Sequence, residues 1–183
     1  VPIISIISRL ADQKGIDLVA QIFDELMHED VQFVVLGTGE SRYEHMFKSF
    51  EYRYKGKVCS NIMFDATRAQ RIYASSDIFL MPSLFEPCGL GQMFSLRYGT
   101  VPVVRKTGGL ADTIFHYNTE TKEGNGFVFE TYDSNGLLWA IKEALKVYNM
   151  GEEESSHVVK NAMSCNYSWE NSAKKYVELY KSL

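Results

Sequence analysis

The sequence predicts an α/β fold in which helices cover both faces of a doubly wound parallel sheet. Short β-rich runs alternate with helical patterns along most of the chain, and this alternation is typical of strand–helix–strand units. Several of the runs are apolar at every position, as strands covered on both faces are. The length of 183 residues suits one Rossmann-like domain of this kind.

The individual elements follow from these patterns in chain order. The predicted strands are Ile3 to Ile7, Gln32 to Leu36, Val58 to Phe64, Ile78 to Met81, Val101 to Val104 and Phe127 to Phe129. The predicted helices between them are Asp17 to His28, Arg42 to Tyr54, Ala69 to Ser75, Gln92 to Tyr98 and Leu110 to His116. Three more helices follow, at Gly136 to Tyr148, Glu153 to Ser164 and Trp169 to Leu183. We expect residues 1–183 to form one domain, with the helices from about 136 onward packing on it.

Composition and charge exclude several classes of protein. The 19 basic and 23 acidic residues give a net charge of −4, whereas binding to nucleic acid or to an anionic membrane needs a basic face. Cys59, Cys88 and Cys165 fit neither a disulfide ladder nor a metal knuckle, so we expect a reducing, cytoplasmic environment. No apolar run approaches the length of a membrane span. The chain opens inside an apolar strand without an initiator Met, so we expect a fragment cut at a domain boundary.

Ligands of open α/β sheets collect at the carboxyl ends of the strands, and two pairs of residues stand out near the first two ends. Arg9 and Lys14 flank the turn from the first strand to the first helix, where a helix N-terminus also favours anions. They could hold a diphosphate, or they could be two solvated cations. Gly37 and Gly39 hint at a dinucleotide turn, but Arg42 stands where the third glycine would be. An ordinary tight turn is therefore the favoured interpretation there.

Two further strand ends carry a carboxylate and a glycine pair. Glu86 precedes Pro87 after the fourth strand, in the extended geometry that a following proline favours. We expect its carboxylate to face solvent, where it could accept hydrogen bonds from ligand hydroxyls or cap a helix. Gly108 and Gly109 follow the fifth strand, and adjacent glycines let backbone N–H groups approach a phosphate. A tight turn relieved by glycine is the alternative.

Several catalytic motifs are missing from the sequence. It has no Walker A, HExxH, GxSxG, EF-hand or Asp-x-Asp pattern, and its four histidines are scattered. A metal site or a His-based triad therefore has little support. A nicotinamide or flavin oxidoreductase would need a glycine-rich first turn, whereas residues 9–14 read RLADQK.

The four sets of residues occur in the order of a known family. The segments SRLADQKGIDL, IYASSDIFLMPSLFEPCGLGQMFSLRYGTVPVVRKTGGLADT, GNGFVFE and YSWENSAKKYVELY closely resemble the C-terminal half of bacterial glycogen synthases and plant starch synthases. The resemblance implies a GT-B glycosyltransferase, in which two Rossmann-like domains face each other across a cleft. This chain would be the C-terminal domain, which holds most of the nucleotide-sugar donor, and the N-terminal partner domain would be absent from it.

The resemblance also implies an activity. Members of this family transfer glucose from ADP-glucose to the non-reducing end of an α-1,4-glucan, with retention at the anomeric carbon and without a metal ion or other cofactor. The expected partners are thus a nucleotide sugar, an α-glucan and the N-terminal GT-B domain of the same polypeptide. We expect the isolated domain to bind ADP weakly and to be inactive. The alternative is a non-catalytic nucleotide-binding module of the Rossmann type.

Residue roles carry over by motif. Arg9 and Lys14 correspond to the cations that neutralise the donor diphosphate, and Glu86 to the carboxylate that binds the donor glucose near its O3. The other donor-binding positions are Phe64 for stacking on adenine, Cys88, Gly89 and Leu90 around the sugar, and Thr107, Gly108, Gly109 and Leu110 for backbone N–H contacts to the phosphates and nearby sugar oxygens. Phe64 could instead be a core aromatic at a strand end. Cys88 is not assigned as a nucleophile, because no base lies beside it in the sequence.

Two features of the resemblance leave questions open. Phe94 stands eight residues after Glu86, where the wider family has a second glutamate, so the ribose contact is unassigned. In GT-B proteins the last helix tends to cross back onto the other domain. Trp169, Tyr176 and Tyr180 on that helix would then be uncovered here, whereas the alternative is that their stripe packs on the domain's own sheet.

Overall fold

The computed structural model describes the whole chain, residues 1–183. Six parallel strands form one sheet in the order β3-β2-β1-β4-β5-β6. Their bounds are β1 (Ile3–Ile7), β2 (Gln32–Leu36), β3 (Val58–Asn61), β4 (Ile78–Met81), β5 (Val101–Arg105) and β6 (Phe127–Phe129). The helices are α1 (Ile16–Leu26), α2 (Ser41–Arg53), α3 (Ala66–Ser75), α4 (Gly91–Tyr98), α5 (Gly108–Thr113), α6 (Ser134–Asn149), α7 (Glu152–Ser164) and α8 (Trp169–Lys181). The predicted doubly wound α/β fold is confirmed.

The strand order reverses beside β1. This strand pairs with β2 on one side, where Ser5 lies opposite Val34, and with β4 on the other, where Ser5 lies opposite Phe79. The chain winds outward in one direction up to β3 and then returns to the other side of β1 to form β4. The crevice above such a reversal is where open α/β sheets bind ligands.

Aromatic packing fixes α1 and α2 against β2. Phe23 of α1 stacks on Phe50 of α2 with ring centroids 3.9 Å apart, and meets Phe33 of β2 edge to face at 5.0 Å. Phe23, Phe33 and Phe47 are fully buried. These contacts belong to a main core of 32 buried residues that extends across the sheet to α6, and burial of this apolar surface holds the layers together.

Strand β3 is shorter than the sequence predicts. It ends at Asn61, and the Met63 N–H then donates to the Asn61 carbonyl at 3.0 Å, which turns the chain. The Asp65 carboxylate accepts from the Arg68 N–H at 2.9 Å and so caps α3. Phe64 therefore lies in the connecting loop rather than in the sheet.

The three C-terminal helices differ in how they pack. Helix α6 packs on α1 and β6, and α7 packs on α4 and α6, but α8 has no buried residue. Trp169 is 85% exposed and Tyr180 is 71% exposed. The expectation that all helices from about 136 onward pack on the domain is therefore wrong for α8, which buries none of its side chains.

Candidate functional site

The loops that follow β1 and β4 interlock at the reversal of the sheet. Gly15 has a φ of +73°, and a Cβ there would lie 2.1 Å from the Pro82 carbonyl oxygen. The Leu84 N–H donates to the Gln13 carbonyl at 2.9 Å. Only glycine fits so close an approach at a positive φ, so this residue brings the segment that carries Lys14 against the segment that carries Glu86.

Lys14 and Glu86 form an ion pair across these loops. The Lys14 Nζ lies 2.6 Å from Glu86 Oε2, and the Ser83 hydroxyl donates to the same oxygen at 3.3 Å. Glu86 is only 8% exposed, so the expectation of a solvent-facing carboxylate is wrong. The helix-capping alternative is wrong too, because the N-caps of α4 and α5 are Leu90 and Thr107 and neither helix has a side-chain cap.

A cavity of about 290 Å³ opens beside this ion pair, and we call it the Glu86 cavity. It is lined by polar side chains of the β1 loop (Ser8, Arg9, Lys14) and the β4 loop (Ser83, Glu86), and by the segment that leads into α4 (Gly89, Leu90, Gly91). Arg9 is exposed and donates to the Gln13 side chain at 2.9 Å, and no carboxylate lies within ion-pair distance of it. Its charge is therefore available to an anion.

A second cavity of about 380 Å³, the Phe64 cavity, adjoins the first. The two share Ile7, Ser8, Arg9 and Tyr73. Phe64 is 92% exposed, so the alternative of a core aromatic is wrong, and its ring face is available for stacking. Adenine stacking itself stays a prediction.

The glycines after β2 allow the β1 and β2 loops to touch along their backbones. A Cβ on Gly37 would lie 1.9 Å from the Ser8 carbonyl oxygen, and one on Gly39 would lie 2.2 Å from that of Leu10. Gly37 and Thr38 line the Phe64 cavity. The two glycines thus serve close packing of the loops that form this cavity.

The glycine pair after β5 supports the Glu86 segment from behind. The Gly109 N–H donates to the Glu86 carbonyl at 3.0 Å, and the Leu110 N–H donates to the Thr107 carbonyl at 3.0 Å. Leu110 is fully buried. The expectation that the N–H groups of Gly109 and Leu110 meet the phosphates is therefore wrong, because both already have partners within the protein. Thr107 and Gly108 line neither cavity, and a donor contact by them stays a prediction.

The segment Cys88 to Leu90 contributes two residues to the lining of the Glu86 cavity. Gly89 and Leu90 line it, and Leu90 is 56% exposed. The exposed Cys88 thiol contacts only the Gly89 carbonyl, at 3.5 Å, so the structure brings no base to it. Cys88 does not line the cavity, and contact of these three residues with a sugar stays a prediction.

Two residues that the sequence analysis missed hold the loop between β4 and α4 in place. Gln92 is fully buried, and its Nε2 donates to the carbonyls of Cys88 and Gly89, each at 3.1 Å. The Arg105 Nε donates to the Ser83 carbonyl at 3.0 Å, and its Nη2 donates to that of Leu84. The one sequence feature that could have indicated the role of Gln92 is its position as a polar residue on the buried face of α4.

Charge on the β1 loop is balanced locally. The Asp12 carboxylate accepts from the Tyr43 hydroxyl and from Arg42 Nη2, the latter at 2.7 Å. The Tyr43 hydroxyl and then Arg42 hold the pKa of Asp12 below its usual value. Because Arg42 offsets Asp12, the acidic residue does not cancel the positive charge of Arg9.

The described residues contain no group of three His, Cys, Asp or Glu side chains that could hold a metal ion. None of the eight helices combines the length and the apolar character that crossing a bilayer requires.

Comparison with known proteins agrees with this architecture. The family model described as glycosyl transferases group 1 matches residues 1–164. The chain is 53% identical to the glycogen synthase of Desulforudis audaxviator and 55% identical to that of Fervidobacterium nodosum, over 99% of its own length. It spans only 36–37% of the length of these two relatives.

Solved structures give the same result. The catalytic domain of Starch Synthase IV from Arabidopsis thaliana, bound to ADP and acarbose, superposes with a TM-score of 0.89 at 37% identity, covering 99% of this chain and 38% of that one. A glycosyltransferase from Rickettsia africae has a TM-score of 0.75 at 21% identity, covering 100% of this chain and 48% of its own, and shows the shared fold alone.

The fold and the matched family define a glycosyltransferase domain: the chain belongs to the group 1 glycosyl transferases. Within that family it is similar to the glycogen and starch synthases, and the resemblance to their GT-B C-terminal domain is confirmed.

Proposed function

We propose that this chain is the donor-binding domain of a glycogen or starch synthase, which transfers glucose from ADP-glucose to the non-reducing end of an α-1,4-glucan with retention. The observation that carries the proposal is the Lys14–Glu86 pair at the reversal of the sheet, beside the unpaired Arg9. The ADP in the starch synthase structure, which matches over 99% of this chain, supports an adenine nucleotide.

The chemistry of each cavity fits one part of such a donor. In the proposed complex the base stacks on Phe64, the diphosphate lies near Arg9 and Lys14, and the glucose hydroxyls meet Glu86 in the Glu86 cavity. As the bond from C1 to the diphosphate breaks, negative charge grows on the leaving ADP. Cations held in place before the reaction lower that barrier. No metal ion or other cofactor takes part in the proposed reaction.

Titration calorimetry on the purified chain tests the donor assignment. We expect ADP and ADP-glucose to bind more tightly than UDP and UDP-glucose, and NADH not to bind, because the site offers a stacking face and cations but no glycine-rich dinucleotide turn. Equal affinity for UDP would contradict the choice of base. Tighter binding of NADH would indicate an oxidoreductase instead.

A chimera tests catalysis and separates it from simple nucleotide binding. The remaining, N-terminal part of the Fervidobacterium nodosum glycogen synthase would be joined to this chain. We expect glucosyl transfer by the chimera, little or none by the chain alone, and a loss of at least about 100-fold for Glu86→Gln in the chimera, because Glu86 would orient the reacting sugar. Unchanged turnover in that variant would favour a non-catalytic nucleotide-binding module, and full-rate transfer by the chain alone would contradict the need for a partner domain.

A further inference from the structure

Tyr73 of α3 has a mostly buried ring and a hydroxyl without a hydrogen-bond partner in the protein. The residue is 4% exposed, and its ring packs against Phe79 and Phe94 with centroid distances of 5.0 and 6.1 Å. Its hydroxyl makes no hydrogen bond to any protein group, whereas the other two buried tyrosines, Tyr43 and Tyr117, donate to Asp12 and Glu154. Gln92 Oε1 is the one fully buried side-chain polar atom without a partner, so the Tyr73 oxygen itself stays accessible and is free to donate to a bound ligand.

The hydroxyl lies at the junction of the two cavities. Tyr73 lines both of them, and its oxygen is 3.2 Å from the position that a Cβ on Gly91 would take. It therefore occupies the space that a longer side chain at position 91 would need. Burial raises the pKa of Tyr73 to about 12, so the group keeps its proton and can donate a hydrogen bond.

Helix α4 begins beside this hydroxyl with Gly91 and has no side-chain cap on its N-terminus. The backbone N–H groups of its first turn are thus without a side-chain partner, and such a helix start favours an anion. Arg9 lines both cavities as well. Tyr73, the first residue of α4 and Arg9 therefore all line the Glu86 cavity.

We propose that the Tyr73 hydroxyl donates a hydrogen bond to the ribose-side phosphate of the donor, where the Phe64 and Glu86 cavities meet. The inference rests on the proposed function. With the base in the Phe64 cavity and the glucose in the Glu86 cavity, the group that spans the shared wall is the diphosphate, and its ribose-side phosphate is the part nearest to the Phe64 cavity.

The test compares Tyr73→Phe with the unaltered chain in calorimetric or NMR titrations with ADP, AMP and adenosine. A hydrogen bond to a charged group accounts for about a 10- to 100-fold change in affinity. We expect Tyr73→Phe to weaken ADP and AMP by about that factor and to leave adenosine unchanged. Its unfolding temperature should not fall, because no hydrogen bond is lost in the free protein.

Tyr117→Phe is the matched control, because it removes a buried tyrosine hydroxyl that is bonded to Glu154 and lines neither of the two cavities. We expect it to lower the unfolding temperature and to leave ADP affinity unchanged. Equal ADP affinity of the unaltered chain and Tyr73→Phe would overturn the inference alone. An equal loss for adenosine would overturn the phosphate assignment. Absence of ADP binding by the unaltered chain would overturn the proposed function and this inference together.

Discussion

The Lys14–Glu86 pair joins two side chains that lie 72 residues apart in the sequence. The Lys14 side chain is 18% exposed and that of Glu86 is 10% exposed. Charges at this depth are stabilised mainly by each other, because water reaches them poorly. The proposed catalytic groups are therefore also part of what holds the two loops together.

A double-mutant cycle measures this coupling. Glu86→Gln leaves the Lys14 ammonium without its counter-charge, so we expect a loss of about 2 kcal/mol in the free energy of unfolding. Lys14→Met should cost a similar amount, and the double variant should be less destabilised than the sum of the two. Urea denaturation at pH 7 provides the free energies. Strictly additive costs would show that the pair contributes no stability of its own.

Which site residues could be predicted from the sequence depended on where they lie relative to the predicted strands. Arg9, Lys14 and Glu86 are charged residues in the loops that follow two buried strands, so their place at the ligand edge of the sheet was predictable. The role of Tyr73 was not predictable, because a tyrosine on the apolar face of a helix is expected to be a core residue. Its missing hydrogen bond depends on Gly91 and on two cavities formed by distant segments, and none of these is a local pattern.

At the level of elements, the loops are positioned by close contacts between backbones. From the sequence, Gly109 was interpreted as a residue whose backbone N–H can approach a phosphate, and the same role for Leu110 came from the family resemblance. The structure places a Cβ on Gly109 1.9 Å from the Cys88 carbonyl oxygen. The residue thus serves loop–loop packing, which depends on chain segments far apart in sequence. Strand and helix interiors were predicted correctly, because their periodicity is local.

Comparing Gly15→Ala with Gly56→Ala separates packing from backbone strain. Both glycines have positive φ, of 73° and 85°, but a Cβ on Gly56 would meet no atom within 4 Å, whereas one on Gly15 would meet Pro82. We expect Gly56→Ala to cost about 1 kcal/mol of stability through strain alone. Gly15→Ala should cost at least about 2 kcal/mol more, because the loops that carry Lys14 and Glu86 must separate.

Urea denaturation and ADP titration are the measurements that compare the two glycine variants. ADP affinity should fall for Gly15→Ala and stay unchanged for Gly56→Ala, which lies far from either cavity lining. Equal stability costs in the two variants would mean that the Pro82 contact does not matter.

On the scale of the whole molecule, α8 is the element that the domain leaves uncovered. Trp169, Tyr176 and Tyr180 are each more than half exposed, although they form an apolar stripe along one face of the helix. The sequence analysis left open whether this stripe packs on the domain's own sheet, and periodicity cannot decide which surface a helix faces. The GT-B resemblance predicts that the N-terminal domain covers it.

Two truncations test whether α8 is independent of the core. Removing residues 169–183 deletes no buried side chain, so we expect the free energy of unfolding to change by less than about 0.5 kcal/mol. Removing residues 152–183 also deletes α7 with the buried Val158 and Ala162. That truncation should abolish cooperative unfolding, because it opens the sheet's second, smaller core cluster around Leu110.

Trp169 fluorescence then reports what covers α8. In a Trp139→Phe background it is the only tryptophan left of the two in the chain. We expect acrylamide to quench its emission freely in the chain alone, since the residue is 85% exposed, and poorly in the chimera with the N-terminal part of a glycogen synthase. Protection already present in the chain alone would mean that α8 packs on its own domain. A tryptophan buried in an interface is shielded from a quencher in solution. Equal quenching in the chain alone and in the chimera would therefore mean that the partner domain does not cover the helix.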